Sequence, residues 1–385
     1  MSIMGIMSAL VIILAIFGGA NYYVARRIYG WLNIFLQHIN VKIYSGVYIF
    51  LVLITLFGLA RSFVPIPMTI KNMLSWISSY WLGIFVFLLM LFIITDVALF
   101  FGSTVKIIPK PIPSNIRFYT GLLVLALTAG IVGYGAYNAT QIKHISYDVR
   151  IKKHTLSPEM KIAVISDLHL GMTNNEHNLA NIVHGINSLE PDIVCITGDI
   201  FNDDYFAIKN HAAVSALLKS IEAKYGVYAC LGNHDGGKTL NDMMDFLERS
   251  NIKILNDEYV TIDERLVLLG RIDPSPIGGS GNLKRKNTAD ILAAIDADLP
   301  IVVLEHNPSA VDQYGGETDM ILSGHSHGGQ IIPGNFITKA IFPVHYGYYQ
   351  RDEASPHVIV TSGVGTWGMP LRVGTNNEIV SIILR

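Results

Sequence analysis

Two histidines one residue apart end an apolar run near the end of the chain. The stretch reads ILSGHSHGGQ from Ile321 to Gln330, so His325 and His327 would lie on one face of a strand. The glycines on both sides of the pair would let another group approach the backbone closely. This pattern suits a pair of metal ligands, and it also suits a surface turn. The rest of the chain has to distinguish between the two.

Four other apolar runs end in the same kinds of residue. They are KIAVIS from Lys161, DIVCIT from Asp192, VYACL from Val227 and IVVLE from Ile301. Runs of this kind are typical of strands buried on both faces. In open α/β sheets, ligands bind outside the carboxyl ends of the strands. The sequence therefore predicts seven ligands at one sheet edge: Asp167, His169, Asp199, Asn233, His306, His325 and His327.

The chemistry of these side chains restricts the metal. Oxygen and imidazole donors without a thiolate favour Mn, Fe or Zn over Ca or a thiolate-rich structural zinc site. Seven ligands exceed the four of one tetrahedral ion, and two ions that share one carboxylate are the economical count. The predicted cofactors are therefore two divalent metal ions, Mn, Zn or Fe.

The elements that would position the ligands alternate in type. Helical patterns separate several of the strands, from Glu176 to Leu189, from Ala207 to Lys224 and from Leu240 to Ser250. This alternation predicts a layered α/β domain. Two late apolar runs, near Val358 and from Glu378, have no helix between them, which predicts that part of the sheet structure is antiparallel.

The first 140 residues differ in composition from the remainder. They contain eight basic residues and one acidic residue, whereas residues 141–385 contain twenty basic and twenty-nine acidic residues. Four apolar runs in this first part are long enough to cross a hydrocarbon core, which needs roughly 20 helical residues. They lie at about 3–25, 43–60, 77–101 and 118–139. Asp96 lies in the third run, where an interfacial position is favoured over a buried proton relay.

These observations predict a multi-pass membrane protein in three parts. The parts are a four-helix transmembrane region at 1–140, a linker with a lead-in strand at 141–157, and the α/β domain at 158–385. Loops rich in lysine and arginine stay cytoplasmic. The first loop carries Arg26, Arg27 and Lys42, and the third carries Lys106, Lys110 and Arg117. The second loop carries only two basic residues, Arg61 and Lys71. The N-terminus and the α/β domain are then predicted to be extracytoplasmic, at the cell membrane.

The five strand ends together resemble a known family. The series DLH, GD, GNHD, EHNP and GHSHGGQ resembles the five-motif signature of the calcineurin-like metallophosphoesterases, from about Lys161 to the C-terminus. The segments GHSHGGQIIPG and SGVGTWGMPLRVGTNNEIV are similar to its membrane-associated branch of YkuE-like and YaeI-like proteins. This resemblance implies an αββα sandwich of mixed sheets after the transmembrane helices.

The resemblance also implies roles for individual residues. Asp167, His169 and His327 would hold the first ion. Asn233, His306 and His325 would hold the second, and Asp199 would bridge the two. His234 matches the histidine that contacts the phosphate and assists the leaving group, and Asp235 or Asp203 would orient it. The implied catalytic residues are thus His234, Asp199 and Asn233.

Three further residues are predicted to contact substrate. Arg372 would pair with a phosphate, since guanidinium matches phosphate geometry, or would form a structural ion pair instead. Asn202 and Asp203 stand in the second motif, which usually reads GDxxD in the family. Here GDIFND places Asn202 at the position of the second aspartate, with Asp203 next to it. This difference from the family motif affects a residue that supports the site and does not affect a metal ligand.

The predicted function is that of a membrane-anchored phosphoesterase. It would hydrolyse a phosphomonoester, phosphodiester or pyrophosphate through attack by a hydroxide that bridges two ions. Four spans, where one would anchor the chain, favour a lipid-linked phosphate. The expected partners are a phosphorylated small molecule or lipid-linked substrate and the lipid bilayer, without nucleic acid. The alternative is a non-catalytic receptor or scaffold, whose mark would be lost ligands, whereas every ligand position is filled here.

Overall fold

The computed structural model describes residues 3–59, 67–153, 158–171, 176–296 and 298–385. Three predicted features lie partly outside these residues, namely the end of the second span at Ala60, Arg61 of the second loop and residues 154–157 of the linker. The chain divides into two compact units, Met1–Tyr134 and Gly135–Arg385. Each unit has its own fold.

Long apolar helices form the first unit. Among the described residues there are four of them, each long and apolar enough to cross a membrane, which confirms the predicted four spans. Their bounds are Ile3–Leu36 for α1, Val41–Leu59 for α2, Met68–Thr104 for α3 and Ser114–Asn138 for α4, whose last turn belongs to the second unit.

The first helix ends later than predicted. It continues through Arg26 and Arg27 to Leu36, so these two arginines lie in α1 and the expectation that they belong to a loop is wrong. Hydropathy marks the part of a helix suited to hydrocarbon, whereas arginine has a high helix propensity and need not end the helix. The chain leaves the helix where Gln37 and His38 adopt positive φ angles of 39° and 88°.

An ion pair connects α1 to α3. Asp96 Oδ1 lies 2.8 Å from Arg27 Nη2, and Asp96 Oδ2 accepts a hydrogen bond of 2.7 Å from the Tyr23 hydroxyl. The Arg27 guanidinium also lies 5.5 Å from the centre of the Phe92 ring. Because a charge in an apolar bundle is costly unless it is paired, these contacts explain how α3 accommodates a carboxylate.

Two six-stranded sheets, counted over the described residues, form the framework of the second unit. The strands of the first sheet are β1 (Ile142–Val149), β2 (Met160–Ile165), β3 (Ile193–Thr197), β4 (Val227–Cys230), β5 (Ile252–Ile254) and β12 (Asn377–Leu384). Those of the second are β6 (Glu258–Ile262), β7 (Leu266–Gly270), β8 (Ile301–Leu304), β9 (Met320–Ser323), β10 (Gly347–Tyr349) and β11 (His357–Val360). The spatial orders are β1-β12-β2-β3-β4-β5 and β10-β11-β9-β8-β7-β6.

Both sheets are mixed, as predicted. Strands β2, β3 and β4 pair in parallel, and so do β7, β8, β9 and β11. The antiparallel pairs are β12 with β2, β6 with β7, and β10 with β11. The short strands β5, β6 and β10 were not predicted, because their exposed or partly exposed residues do not form a continuous apolar run. The carboxyl ends of the central parallel strands meet at one edge of each sheet.

Helices complete the layers. Their bounds are Glu176–Asn187 for α5, His211–Lys219 for α6, Leu240–Arg249 for α7, Thr288–Leu292 for α8 and Gly334–Ile341 for α9. α6 starts later than the predicted helix from Ala207 to Lys224, because the Asn210 side chain caps its start by accepting a hydrogen bond from Ala213 N, and it ends earlier, at Lys219.

The apolar residues divide between the layers. Ala163 and Ile165 of β2 join a cluster with the buried face of α5, α6 and α7. Ile162 and Val164, which point to the opposite face of the same strand, join a cluster with β7, β8 and β9 of the second sheet. The fold is thus the predicted sandwich, with two sheets packed face to face and helices outside them.

Candidate metal centre

The seven predicted ligands lie together at the carboxyl ends of five strands. β2 is followed by Asp167 and His169, β3 by Asp199 and β4 by Asn233. In the second sheet, β8 is followed by His306, and β9 by His325 and His327. The first sheet therefore supplies carboxylates, an amide and one imidazole, and the second supplies three imidazoles.

One group of donors consists of Asp167, His169 and His327. One donor atom from each residue lies within 4.8 Å of the others. His169 Nε2 is 3.2 Å from His327 Nε2, and His327 Nε2 is 3.3 Å from Asp167 Oδ1. All three residues are buried.

A second group consists of Asp199, His306 and His325, with the amide of Asn233 beside it. His306 Nε2 is 3.2 Å from Asp199 Oδ2 and 3.3 Å from His325 Nδ1. Asn233 Oδ1 lies 2.6 Å from His325 Nδ1 and 3.2 Å from His306 Nε2. Asp199 Oδ2 is also 3.7 Å from His169 Nε2, which places this carboxylate between the two groups.

These distances fit metal coordination. Two ligands of a tetrahedral ion with bonds of roughly 2.0 to 2.1 Å lie about 3.3 Å apart. The separations of 3.2 and 3.3 Å between donor atoms in both groups match that value. His306 Nδ1 also lies 2.7 Å from Thr197 O, to which it donates its proton, so its Nε2 lone pair is directed at the cluster. The residues present therefore fit two divalent cations.

Burial favours the neutral form of three of the four ligand histidines. It lowers the pKa of His169 to about 3 and that of His325 to about 4, and it lowers the pKa of His327 well below its usual value. Neutral imidazole, the form that binds metals, is favoured as a result. Burial alone would raise the pKa of Asp199, but His306 and His169 outweigh it and hold that pKa below its usual value. Asp199 therefore stays ionised.

The backbone of the ligands is strained. Five ligands adopt φ angles between 44° and 66°, in the left-handed region that few residues other than glycine occupy: Asp167, His169, Asp199, His325 and His327. Each such conformation costs on the order of 1 to 3 kcal/mol and persists only where the surrounding structure fixes it. The strain is concentrated where donor atoms must point at a common centre.

Two glycines allow the strand ends to meet. A Cβ atom on Gly232, in the GNHD motif, would lie 2.2 Å from Asp199 Oδ1 and 2.3 Å from Asp199 N. A Cβ on Gly324, before the paired histidines, would lie 1.9 Å from Ser166 Oγ and 2.5 Å from Asp167 Oδ2. Any side chain at either position would displace a ligand. This close approach explains the glycines of both motifs.

His234 lies beside the ligands and has a carboxylate partner. Its Nδ1 is 2.5 Å from Asp203 Oδ1, while Asp235 instead accepts hydrogen bonds from the backbone of Ile200, Phe201 and Gly232. Of the two partners left open by the sequence, Asp203 is the one in contact. Burial alone would lower the pKa of His234, but the bond to Asp203 and the charge of Asp199 raise it above its usual value. Asn202 is buried next to Asp203.

Arg372 does not face a substrate. Its side chain is 0% exposed, and its five N–H groups all have acceptors: Asn377 Oδ1, His327 O, Thr375 Oγ1, Ser362 O and Gly365 O. The predicted contact between Arg372 and a phosphate is therefore wrong, because no N–H group of its side chain remains to make it. The guanidinium instead holds the carbonyl of His327 at 2.9 Å and so helps to position this ligand. The sequence carried no local signal for that role.

The loop that contains Arg372 is also bonded to the end of α4. Arg372 N donates to Gly135 O at 3.0 Å, and Asn138 Nδ2 donates to Arg372 O at 3.2 Å and to Thr375 O at 2.9 Å. Asn377 Nδ2 donates to Ala139 O at 2.6 Å. The last turn of α4 thus supports the same loop that positions His327.

Comparisons with known proteins show which family the chain is similar to. Residues 160–329 match the family described as calcineurin-like phosphoesterase. A metallophosphoesterase of Campylobacter jejuni is 30% identical over 392 residues, covering 97% of this chain and 97% of its own. A transmembrane protein with a metallophosphoesterase domain from Danio rerio is 29% identical, covering 70% of this chain and 63% of its own. The metallophosphoesterase YkuE of Bacillus subtilis is 30% identical, covering 68% and 92% respectively.

We expect Asp199→Ala to lower the metal content of the purified protein. The wild-type chain should retain about two divalent ions, and the variant should lose at least one, since Asp199 lies between the two donor groups. Metal content is measured by plasma mass spectrometry after exchange into metal-free buffer. Asp242→Ala, which removes an exposed carboxylate of α7, is the matched control. Equal metal content in both variants would contradict the assignment.

Proposed function

The chain belongs to the calcineurin-like metallophosphoesterases, and from that premise we propose that its metal centre cleaves a lipid-linked phosphate at the extracytoplasmic face of a membrane. The chain is a metal-dependent phosphoric ester hydrolase and a membrane protein. The observation that carries phosphoester cleavage is the convergence of four imidazoles, two carboxylates and one amide at one sheet edge. All seven predicted ligand positions are filled, which distinguishes the chain from a scaffold that has lost its chemistry.

The donor groups suggest how two ions would be held. Asp167, His169 and His327 would bind one, and His306, His325 and Asn233 the other, with Asp199 shared between them. When bound, two divalent cations supply positive charge to phosphate oxygens and lower the pKa of a coordinated water. Asp199 and Asn233 act in catalysis by fixing this charge in place.

His234 is the residue we assign to the leaving group. Asp203 holds its Nδ1, so Nε2 is the ring nitrogen left to contact a phosphate oxygen or to protonate the departing oxygen. Its ring centre lies 5.0 Å from that of His169, beside the donor groups but outside them. The raised pKa keeps the imidazolium available near neutral pH. Asp203 acts as its positioning residue.

An apolar rim beside the site supports a lipid-linked substrate. The Trp367 side chain is 51% exposed and its ring centre lies 5.8 Å from that of His234. α9, which follows the paired histidines, has no buried residue, and Phe336 and Ile337 are 67% and 58% exposed. Phe342, directly after α9, has its ring centre 5.5 Å from that of His325. Exposed apolar side chains next to a phosphate site suit a substrate with a hydrocarbon part.

The proposed orientation rests on the basic residues. The segment between the first two apolar runs and the one between α3 and α4 carry more lysine and arginine than the segment between α2 and α3. Segments enriched in these residues stay cytoplasmic. Because α4 is the fourth span, the catalytic unit then lies on the opposite side.

We expect His234→Ala to lower kcat by about 10² to 10⁴ for phenyl phosphate or an alkyl phosphodiester, whose leaving oxygens need a proton, because general acid catalysis is lost. Asp203→Asn should cause a smaller loss, since the imidazole remains. Metal content should be unchanged in both, and His184→Ala, on an exposed position of α5, should behave as wild type. Full activity of His234→Ala would refute its role, while loss of metal would make it a ligand.

The apolar rim should matter only for substrates with acyl chains. Phe336→Ser with Ile337→Ser should lower kcat/KM for dioleoyl phosphatidic acid in mixed micelles about tenfold, from the lost burial of two apolar side chains. The value for p-nitrophenyl phosphate should not change. Tyr259→Ser, an exposed aromatic residue on β6, serves as the control. Equal losses for both substrates would exclude a specific contact between the rim and the hydrocarbon.

Orientation can be measured by cysteine labelling in intact cells. The native thiols, Cys195 and Cys230, are buried. Lys219→Cys, on an exposed position of α6, should react with a membrane-impermeant maleimide, whereas Lys106→Cys, after α3, should react only once the cells are opened. The reverse pattern would place the catalytic unit in the cytoplasm.

A further inference from the structure

A basic cavity lies within the first unit. Its volume is about 230 Å³, and Arg26 and Arg27 of α1 and Arg117 of α4 line it together with Trp31 and Phe92. Neither the metal centre nor the reaction uses these residues. Three arginines around one cavity in an apolar helical unit call for a physical explanation.

The cavity has an excess of positive charge. Arg27 is paired with Asp96. Within the part of the chain that the structure describes, Arg26 and Arg117 have no carboxylate partner. The net charge of these four side chains is therefore two positive. Arginine binds phosphate oxygens with charge-assisted hydrogen bonds that are often bidentate.

A buried donor points to a missing acceptor. The Nε atom of Arg27 is buried and has no hydrogen-bond partner within the described part of the chain. Buried donors of native proteins are almost always paired, with protein, water or ligand. An anionic oxygen inside the cavity would satisfy this N–H group and would also be attracted by Arg26 and Arg117.

The wall of the cavity is apolar and locally fixed. Trp31 Nε1 donates to Phe118 O at 3.0 Å, and the indole stacks on the Phe118 ring with centres 5.9 Å apart. Gly121 makes room for it, because a Cβ there would lie 2.0 Å from Trp31 Cδ1. Phe35 and Leu36 on the same helix are 57% and 56% exposed. A ligand with an anionic head and hydrocarbon chains matches these surroundings.

We propose that this cavity binds the phosphate group of an anionic phospholipid. Its volume is below the roughly 300 Å³ at which sites for drug-sized ligands begin, which suits a phosphodiester head with its chains outside. Basic pockets between transmembrane helices bind anionic lipid head groups in this manner. The bound lipid acts here as a structural ligand of α1, α3 and α4 and not as a substrate.

The test is native mass spectrometry of the full-length protein in detergent. Dioleoyl phosphatidylglycerol should bind at least about tenfold more tightly than dioleoyl phosphatidylcholine, because Arg26 and Arg117 act on the phosphodiester of a lipid without a cationic head. Arg26→Gln with Arg117→Gln should remove that preference. Lys106→Gln with Lys110→Gln, which removes the same charge from exposed positions after α3, should keep it.

Further measurements distinguish a lipid site from a misfolded variant and from a site for free phosphate. Phosphoesterase activity of the Arg26 and Arg117 variant should equal that of the wild type, and an unchanged elution volume in detergent should show that its first unit is folded. Arg117→Lys should give intermediate lipid binding. Inorganic phosphate at millimolar concentration should not displace phosphatidylglycerol. Equal binding of the two lipids, an unchanged preference in the double arginine variant, or displacement by free phosphate would each overturn the proposal.

Discussion

The second unit depends on one constraint, which is that several polar side chains must lie close together and away from water. Asp167 and His169 have no exposed surface, and Asp199 is 2% exposed. Burial removes the hydration of these groups and the two carboxylates repel each other, and cations among them would compensate for both costs. The left-handed backbone of the ligands and the bare Cα atoms of Gly232 and Gly324 are consequences of that requirement, since each shortens the distance between chain segments.

The cluster also explains why two sheets are needed. The first donor group combines Asp167 and His169 from the first sheet with His327 from the second. The second group combines Asp199 with His306 and His325 in the same way. Each proposed ion would therefore connect both sheets, and binding energy would contribute to their packing as well as to chemistry. Buried apolar residues between the sheets hold the same two layers together from within.

The positions of the candidate ligands could be predicted from the sequence because the relevant signal is local. An apolar run followed by Asp, Asn or His gives both the strand and the polar group at its end, as at Asp199 after β3. The role of Arg372 could not be predicted, because its partners lie as far away as His327 and become visible only when the chain is folded. The choice of Asp203 over Asp235 likewise depended on geometry. The end of α1 was misplaced because hydropathy falls before the helix ends.

The hydrogen bonds between the last turn of α4 and the Arg372 loop affect how the protein can be produced. A shortened version beginning after Thr140 would keep all seven ligands but would lack Gly135, Asn138 and Ala139, the partners of Arg372 and Asn377. Water would have to replace four bonds in the loop that holds the carbonyl of His327. Kinetic constants measured on such a fragment would describe a catalyst in which His327 is held less firmly than in the full-length chain.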